Sequence, residues 1–378
     1  MENAIGIVCE YNPLHTGHLW QLSALRARFP QRPIVLVMSG NYVQRAEAAV
    51  CDVYSRARAA VECGADLVLL LPFPYSTLGA QGYASSALSV FARLGVVDTL
   101  AFGAECEDAS LLKNAVKALC SATFEEKLKA NLDADKRAAY AHLRAETLSE
   151  FLPGTDGILK HPNNILALEY LSEIERRGYA LAPVILPRSP KPSATALRAR
   201  LGAGEPLTEA DVPNAYLRDV LSKGDLPQKK LEEALLAALR AGLDCPELSN
   251  LGARVADAAR RAEDFSDFVM RTKTRKITSA RVRRGVLHAY FGVDETSLPE
   301  VPYTVLLAAN EKGRAVLSFI YNIGQIPVYT KPSAPSKEKG VIGEIAALSD
   351  RADSVYAGFL GRNGDFFLKQ SPQIMNKL

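Results

Sequence analysis

Two histidines flanking Thr16 and Gly17, in the run Val8-Cys-Glu-Tyr-Asn-Pro-Leu-His-Thr-Gly-His-Leu19, are the residues of this chain best suited to chemistry. A histidine can donate a hydrogen bond to a phosphate oxygen whether its ring is neutral or protonated. His15 and His18 stand three apart, so on one side of a first helical turn both can face the same phosphate. Gly17 lets the backbone come close, and the unpaired N–H groups and positive dipole end of a helix starting here favour an anion. A second set lies far along the chain. Ser193 suits an N-cap, and Thr195 and Arg198 follow in the first turns of its helix, where hydroxyls, backbone N–H groups and a guanidinium would make a second anion cradle. Each set also has a plainer reading. A histidine at a strand end is usually a satisfied structural residue, and Ser-x-Thr-x-x-Arg can be a helix cap with a solvated arginine. H-x-G-H is short enough to arise by chance, so the context of strand, turn and helix has to decide.

That context is present. Ala4 to Val8 reads as a buried strand, and Leu19, Leu22, Leu25 and Phe29 recur at helical spacing until Pro30 closes the run. Further short runs rich in Val, Ile and Leu lie at Ile34 to Met38, Asp66 to Leu71, Asp98 to Phe102 and Tyr179 to Leu186. Between them, Asp52 to Cys63, Tyr83 to Leu94 and Ser110 to Leu119 carry apolar residues at spacings of three and four. This alternation predicts an α/β fold with a Rossmann-like parallel sheet covered on both faces. Ligands then bind outside the carboxyl ends of the strands. Polar, glycine-containing loops fall there, at Ser39-Gly-Asn-Tyr-Val-Gln-Arg45 and Gly103-Ala-Glu105. Residues 120 to 178 read as helical, with Asn163 a candidate cap for the last helix.

With 378 residues, 48% hydrophobic content and a mean hydropathy near zero, the chain fits a soluble globular enzyme of two or three domains. The longest apolar stretch, Leu67 to Phe73, is far short of a bilayer helix, and Glu2 and Asn3 precede the first strand where a basic signal segment would stand. A cytoplasmic protein is expected, with no membrane contact and no protein partner evident. Cys9, Cys51, Cys63, Cys106, Cys120 and Cys245 are scattered without a C-x-x-C pair, so reduced core thiols are expected, and no metal ligands are assigned. The net charge of +3 decides nothing, but its distribution does. Gly202, Gly204, Pro206 and Pro213 mark a boundary between residues 1–201 and a mostly helical region, 202–298. Near its end, Arg271 to Arg284 holds seven basic and no acidic residues in fourteen positions. Lys273, Arg275 and Lys276 precede a helix capped by Thr278 or Ser279, and Arg281, Arg283 and Arg284 continue its polar side. A charge run is usually a solvated face; this stripe also suits an RNA backbone. Residues 299–378 read as a small α/β segment, with strands at Thr304 to Ala308 and Ile326 to Thr330 around a helix at Asn310 to Tyr321, then a proline-containing loop and a C-terminal helix.

Taken in order, E-Y-N-P-x-H-x-G-H at 10 to 18, S-G-N-x-x-Q-R at 39 to 45, F-G-x-E at 102 to 105, P-N-N-I-L at 162 to 166, S-A-T-x-x-R at 193 to 198 and the basic segment at 272 to 284 resemble the bacterial tRNA(Met) cytidine acetate ligase family. That family is similar to the wider H-x-G-H nucleotidyltransferases, and the resemblance covers nearly the whole chain. It implies that 1–201 is a nucleotidyltransferase-like domain binding ATP, with Mg2+ held through the phosphates. The ATP-binding loop would comprise Val8, Cys9, Glu10, Tyr11, Asn12, Pro13, Leu14, His15, Thr16, Gly17, His18, Leu19, Trp20 and Gln21, joined by Gly103, Asn163, Arg188, Ser193 and Thr195. His15, His18 and Arg198 would be catalytic, and Asn41 and Gln44 would line a pocket for acetate. Acetate would be activated as acetyl-adenylate and passed to N4 of the wobble cytidine of elongator tRNA(Met), held by Lys273, Arg275, Lys276, Arg281, Arg283 and Arg284. Two departures stand out. Gln44-Arg-Ala-Glu-Ala-Ala49 replaces the family's usual Q-R-G-E-P-A, and the stretch between Arg188 and Ser193 is short and lacks a Tyr-His pair. These leave room for a divergent relative acting on another acceptor. A small-molecule adenylyltransferase of the nicotinate or pantetheine type explains residues 1–201 equally well but leaves the basic helix unused. An RNA-binding protein with an idle nucleotide fold has no need of both phosphate motifs.

Overall fold

The computed structural model describes residues 2–106, 108–187, 193–224 and 226–375. Its first half alternates as the apolar runs predict: β1 (Ala4–Cys9), α1 (Thr16–Arg28), β2 (Ile34–Ser39), a small hairpin of β3 (Tyr42–Val43) and β4 (Glu47–Ala48), α2 (Val53–Glu62), β5 (Leu67–Leu71), α3 (Ala80–Leu94) and β6 (Val97–Ala104). Four helices follow, α4 (Ala109–Leu119), α5 (Ala122–Ala134), α6 (Tyr140–Phe151) and α7 (Pro162–Arg177), before β7 (Ala182–Pro187) and α8 (Ala194–Gly202). The helical stretch comprises α9 (Ala215–Ser222), α10 (Pro227–Arg240), α11 (Gly252–Arg261), α12 (Phe265–Thr272) and α13 (Ser279–Phe291). The chain ends with β8 (Thr304–Ala309), α14 (Glu311–Ile323), β9 (Val328–Tyr329), α15 (Val341–Phe359) and β10 (Gln373–Ile374). No helix among the described residues is long and apolar enough to cross a membrane.

The main sheet runs β10-β8-β5-β2-β1-β6-β7, with β9 alongside β8. Its pairs are parallel except β5 with β8. From β1 the chain winds outward to β2 and β5, then returns to the other side of β1 for β6 and β7. The direction of winding therefore reverses between β1 and β6, and a crevice opens at their carboxyl ends. Every residue of β2 is buried, as expected of a central parallel strand, which cannot leave a face to water.

Residues 299–375 form strands and helices, and their strands extend this sheet. β8 lies antiparallel on β5 with all six of its residues buried. Gly313, in the first turn of α14, is what allows the approach: a Cβ there would stand 1.9 Å from the Asp66 carbonyl oxygen. One apolar cluster runs from Ile5 and Leu36 through Leu197, Leu235 and Val286 to Tyr356, so the helical stretch packs on the same core as the sheet. The cap expected at Asn163 is not there: α7 begins at Pro162, a residue preorganised for the first helical position, with His161 before it. Thr278 caps α13, accepting the Arg281 N–H.

Two buried cations hold this arrangement together. Arg56 of α2 is fully buried, and its guanidinium donates to carbonyl oxygens: Nη1 to Glu10 (2.6 Å) and Ser39 (3.1 Å), Nη2 to Gly40 (2.5 Å) and Nε to Cys51 (3.1 Å). It thereby ties together the loops that leave β1 and β2. The second cation is His288 of α13, also fully buried. The Thr77 hydroxyl donates to the Pro74 carbonyl (2.8 Å), so at 2.9 Å it accepts from His288 Nε2–H. A neutral ring would then turn its Nδ1 lone pair on Glu247 Oε1 (3.2 Å) and Glu295 Oε1 (3.0 Å). The ring is therefore an imidazolium, and with Arg284 beside Glu295 the charges of the cluster balance. Burial alone pushes the His288 pKa down, but the contacts with Glu247 and Glu295 outweigh it and raise it.

Because that pKa is raised in the folded state, the stabilisation is full below the ordinary histidine value of about 6.5 and is lost as pH rises through the folded value. Urea midpoints of the wild type should fall between pH 6 and pH 9, and fall distinctly less in His288→Gln; parallel curves would refute a charged His288. Arg56→Met would leave four buried carbonyl groups without their donor, and we expect a loss of about 3–5 kcal/mol in urea unfolding. A loss under about 1 kcal/mol would contradict the role given to Arg56.

Candidate active site

At the carboxyl ends of β1 and β6 lies a cavity of about 720 Å³. Its wall takes Val8, Cys9, Glu10, Tyr11, Asn12, His15, Gly17, His18, Trp20 and Gln21 from the first loop and helix, Gln44, Arg45 and Glu47 from the hairpin, Gly103 and Glu105 from β6 and beyond, Asn163 from α7, and Ser193, Thr195 and Arg198 from the start of α8. Of the predicted loop, Pro13, Leu14, Thr16 and Leu19 are not on the wall. Leu14 is fully buried in the core instead. Arg188 lies outside the described residues.

His15 occupies the N-cap of α1. Its Nδ1 accepts the Gly17 N–H (3.0 Å), while its own N–H donates to His18 Nδ1 (3.2 Å). The two histidines thus perform the reciprocal capping that Ser and Glu commonly supply, and their rings stack at 3.8 Å between centroids. This fixes their chemistry. Each Nδ1 is used as an acceptor, so in the neutral ring the proton sits on Nε2 and the ring is a donor. Burial, and then the neighbouring His15, hold the His18 pKa well below the ordinary histidine value. Two ring donors beside the amino end of a helix of thirteen residues make a site for an anion. Around them, Tyr11 holds a left-handed backbone (φ 46°), and the buried polar atoms Tyr11 Oη and Asn12 Nδ2 have no partner among the described residues. A buried polar group left unpaired costs about 1–3 kcal/mol, so these two atoms are suited to a ligand or water.

The two predicted phosphate motifs meet. Arg198 Nη1 donates to the Asn12 carbonyl (3.0 Å), and Nη2 lies 3.4 Å from both Thr195 Oγ1 and Glu47 Oε2. Ser193 caps α8 by accepting the Ala196 N–H. On the far side, Glu105 accepts from Asn163 Nδ2 (2.8 Å) and from the Asn164 N–H (2.9 Å), and Asn164 Oδ1 accepts the N–H groups of Glu105 and Cys106. Asn163 therefore reaches the wall through Glu105, locking the end of β6 to α7.

The altered hairpin loop closes without glycine or proline. Ala46 stands where the family pattern has glycine and still takes the left-handed conformation (φ 57°), as the third residue of a three-residue hairpin loop requires. Ala48 stands where the pattern has proline, and its N–H, which proline lacks, donates to Gln228 Oε1 of α10 (2.8 Å). Gln44 is on the cavity wall, its backbone N–H bonded to Glu10 Oε1 (2.9 Å). Asn41 is not on the wall, contrary to the expectation for it. It is 1% exposed, with Oδ1 accepting the Val53 N–H (2.9 Å) and Nδ2 donating to Asp353 (2.8 Å), so both ends of its amide are occupied in the core. Burial raises the Asp353 pKa to about 7.

The basic stripe divides. Lys273, Arg275, Lys276 and Arg281 are exposed, with Arg275 3.2 Å from Asp135. Arg283 and Arg284 turn inward to Glu232 (2.8 Å) and Glu295 (3.0 Å). Sequence reasoning did not anticipate where α13 begins: Ser279, Ala280 and Arg283 of its first turns are on the wall of the same cavity as His15 and His18. It also missed Arg56, although that residue falls in the apolar row of Val53, Ala57 and Ala60 along α2. Among the described residues the only grouping of histidine, cysteine or carboxylate side chains able to hold a metal ion is Glu247, His288 and Glu295, where Arg284 and the imidazolium already neutralise the carboxylates.

Comparison with known proteins agrees with this geometry. The HIGH nucleotidyl transferase family matches residues 2–365. The tRNA(Met) cytidine acetate ligase of Syntrophomonas wolfei is 30% identical over 93% of this chain and 94% of its own, and that of Syntrophotalea carbinolica 31% identical over 87% and 85%. The crystal structure of Thermotoga maritima TmcAL bound with alpha-thio ATP superposes with a TM-score of 0.88 at 26% identity, covering the whole of both chains. The apo form of TmcAL gives 0.90 at 25% identity, again over both whole chains. With the paired histidines on α1, the Ser-x-Thr-x-x-Arg start of α8 and the basic helix meeting in one cavity, the chain belongs to the HIGH nucleotidyl transferases and, among them, to the tRNA(Met) cytidine acetate ligase family.

Proposed function

We propose that this protein is an ATP-dependent tRNA(Met) cytidine acetate ligase, which activates acetate as acetyl-adenylate and acetylates N4 of the wobble cytidine of elongator tRNA(Met). The observation that carries this reading is the shared cavity: the His15–His18 anion site and the first turns of the basic helix α13 face one space. A small-molecule adenylyltransferase has no need of the second, nor an idle RNA-binding fold of the first. ATP fits the residues present. The unpaired Asn12 Nδ2 and Tyr11 Oη, the two imidazole donors and Arg198 form a polar wall at the start of α1.

The first step needs no protein nucleophile. A carboxylate oxygen of acetate attacks the α-phosphorus, the bond to the pyrophosphate oxygen breaks, and negative charge moves onto the departing group. In this reading His15 and His18 donate from Nε2 to the α-phosphate oxygens, and Arg198 balances the pyrophosphate. Magnesium, bound through the ATP phosphates, would add its charge to that of Arg198. In this reading the acetate end lies toward Gln44 and Arg45, which are on the hairpin side of the cavity. In the second step a splayed single-stranded base enters past α13, with Lys273, Arg275, Lys276 and Arg281 along the RNA backbone outside.

Removing one donor to the transition state costs about 10²–10³ in rate. His18→Ala should therefore lower acetate-dependent ATP–pyrophosphate exchange by that factor, and an undiminished rate would sink its assignment. Replacing Lys273, Arg275 and Arg281 together with alanine should weaken tRNA binding and flatten its salt dependence while sparing the exchange reaction, since all three are exposed outside the cavity. Unchanged tRNA affinity in that variant would exclude the proposed RNA face. Incubation with ATP, magnesium, labelled acetate and tRNA, followed by digestion to nucleosides, tests the whole reading: labelled acetylcytidine supports it, and its absence counts against it.

A further inference from the structure

The second step releases a proton that must be received. The exocyclic amine of cytidine is a weak nucleophile. As its nitrogen bonds to the acetyl carbon and the bond from that carbon to the adenylate oxygen breaks, AMP leaves with the electron pair and one N–H proton is given up. A group beside the nitrogen with an available lone pair speeds such a transfer.

Most groups on the cavity wall are unsuited. His15 and His18 carry their protons on Nε2, and each Nδ1 is filled by a backbone N–H. Glu105 accepts from Asn163 and Asn164 with both oxygens, and Glu47 lies against Arg198. Cys9, Tyr11, Tyr83 and Tyr170 are pushed up by burial and stay protonated. Glu10 differs. Its Oε1 is anchored by the Gln44 N–H (2.9 Å), its backbone carbonyl is held by Arg56 (2.6 Å), and among the described residues its Oε2 takes no hydrogen bond. Glu10 is on the cavity wall, with one carboxyl oxygen fixed and the other unused within the described residues.

We infer that Glu10 is the general base that takes the N4 proton as the acetyl group is transferred to cytidine, an inference that rests on the acetate ligase reading given above. Titratable and charged groups of the surrounding elements bear on its carboxyl: Cys9 of β1, Glu47 of the hairpin, Arg56 of α2, Tyr83 of α3, Tyr170 of α7 and Arg198 of α8, with the histidines of α1 on the same cavity wall. Burial is the largest influence and raises its pKa above the usual glutamate value, against the lowering by the Gln44 N–H, Arg198 and Arg56. A carboxylate raised in this way is better matched to taking a proton near neutral pH.

The test separates the two steps in the full-length protein. Acetate-dependent ATP–pyrophosphate exchange reports adenylate formation, and single-turnover acetylation of tRNA(Met) reports transfer. Glu10→Gln keeps an oxygen for the Gln44 N–H but removes the base. The ratio of transfer to exchange should fall about 10²–10⁴-fold in this variant. The acidic limb of the wild-type transfer profile should vanish with it, and Glu10→Asp should recover part of the rate. If transfer and exchange fall in proportion in Glu10→Gln, or the acidic limb survives, Glu10 is a structural or nucleotide-binding residue and the inference is overturned. A wild-type protein that neither exchanges with acetate nor acetylates tRNA would overturn the acetate ligase reading, and this inference with it.

Discussion

The bonds from one buried guanidinium to four backbone carbonyls set the geometry on which the rest of the site depends. Arg56 has no carboxylate partner among the described residues; its charge is met by the Glu10, Ser39, Gly40 and Cys51 carbonyl oxygens. Parallel strands end with their carbonyls and N–H groups unpaired, and in the interior those groups need partners or the ends fray. Arg56 supplies donors at the ends of the two central strands at once. The Glu10 carbonyl it holds is the entry to the segment bearing Tyr11, Asn12 and the paired histidines. The anion site on α1 is therefore placed by a side chain of α2, through the backbone between them.

A second dependence runs through the histidines themselves. Because each ring caps the start of α1 through Nδ1, structure and chemistry share the same atoms: the bond that orients the ring also selects its tautomer and makes it a donor. Burial keeps His18 neutral, and a neutral donor needs no desolvation of its own charge before meeting a phosphate. His288 lies in the opposite regime. There two carboxylates retain the proton, and the resulting cation joins α13 to the segment after β5. Two histidines of one fold thus take opposite charge states, set by what faces Nδ1.

Much of this was legible along the chain, and the legible part was local. The strands β1, β2, β5, β6 and β7 and the helices between them follow from runs of branched residues and spacings of three and four, and the two phosphate motifs fall where such a sheet binds ligands. What escaped depends on contacts between distant positions. Asn41 sits in a loop that points toward the site in sequence, yet Asp353, some three hundred residues later, takes its amide into the core. Arg283 and Arg284 match Arg281 in type, but Glu232 and Glu295 turn them inward. The cap expected at Asn163 went to a proline start, because Glu105 claims the asparagine. Periodicity reports which way a helix faces; it does not report which carboxylate waits there.

The antiparallel pairing of β5 with β8 has a consequence for how the chain reaches this state. β5 is almost wholly buried, yet its outer neighbour begins more than two hundred residues later. At roughly 5–20 residues per second, synthesis leaves that hydrophobic strand edge uncovered for on the order of ten seconds or more. An open, apolar edge is a template for pairing with another chain. The nascent protein therefore passes through a window in which its sheet is competent to capture a foreign strand, and the late arrival of Thr304–Ala309 closes it.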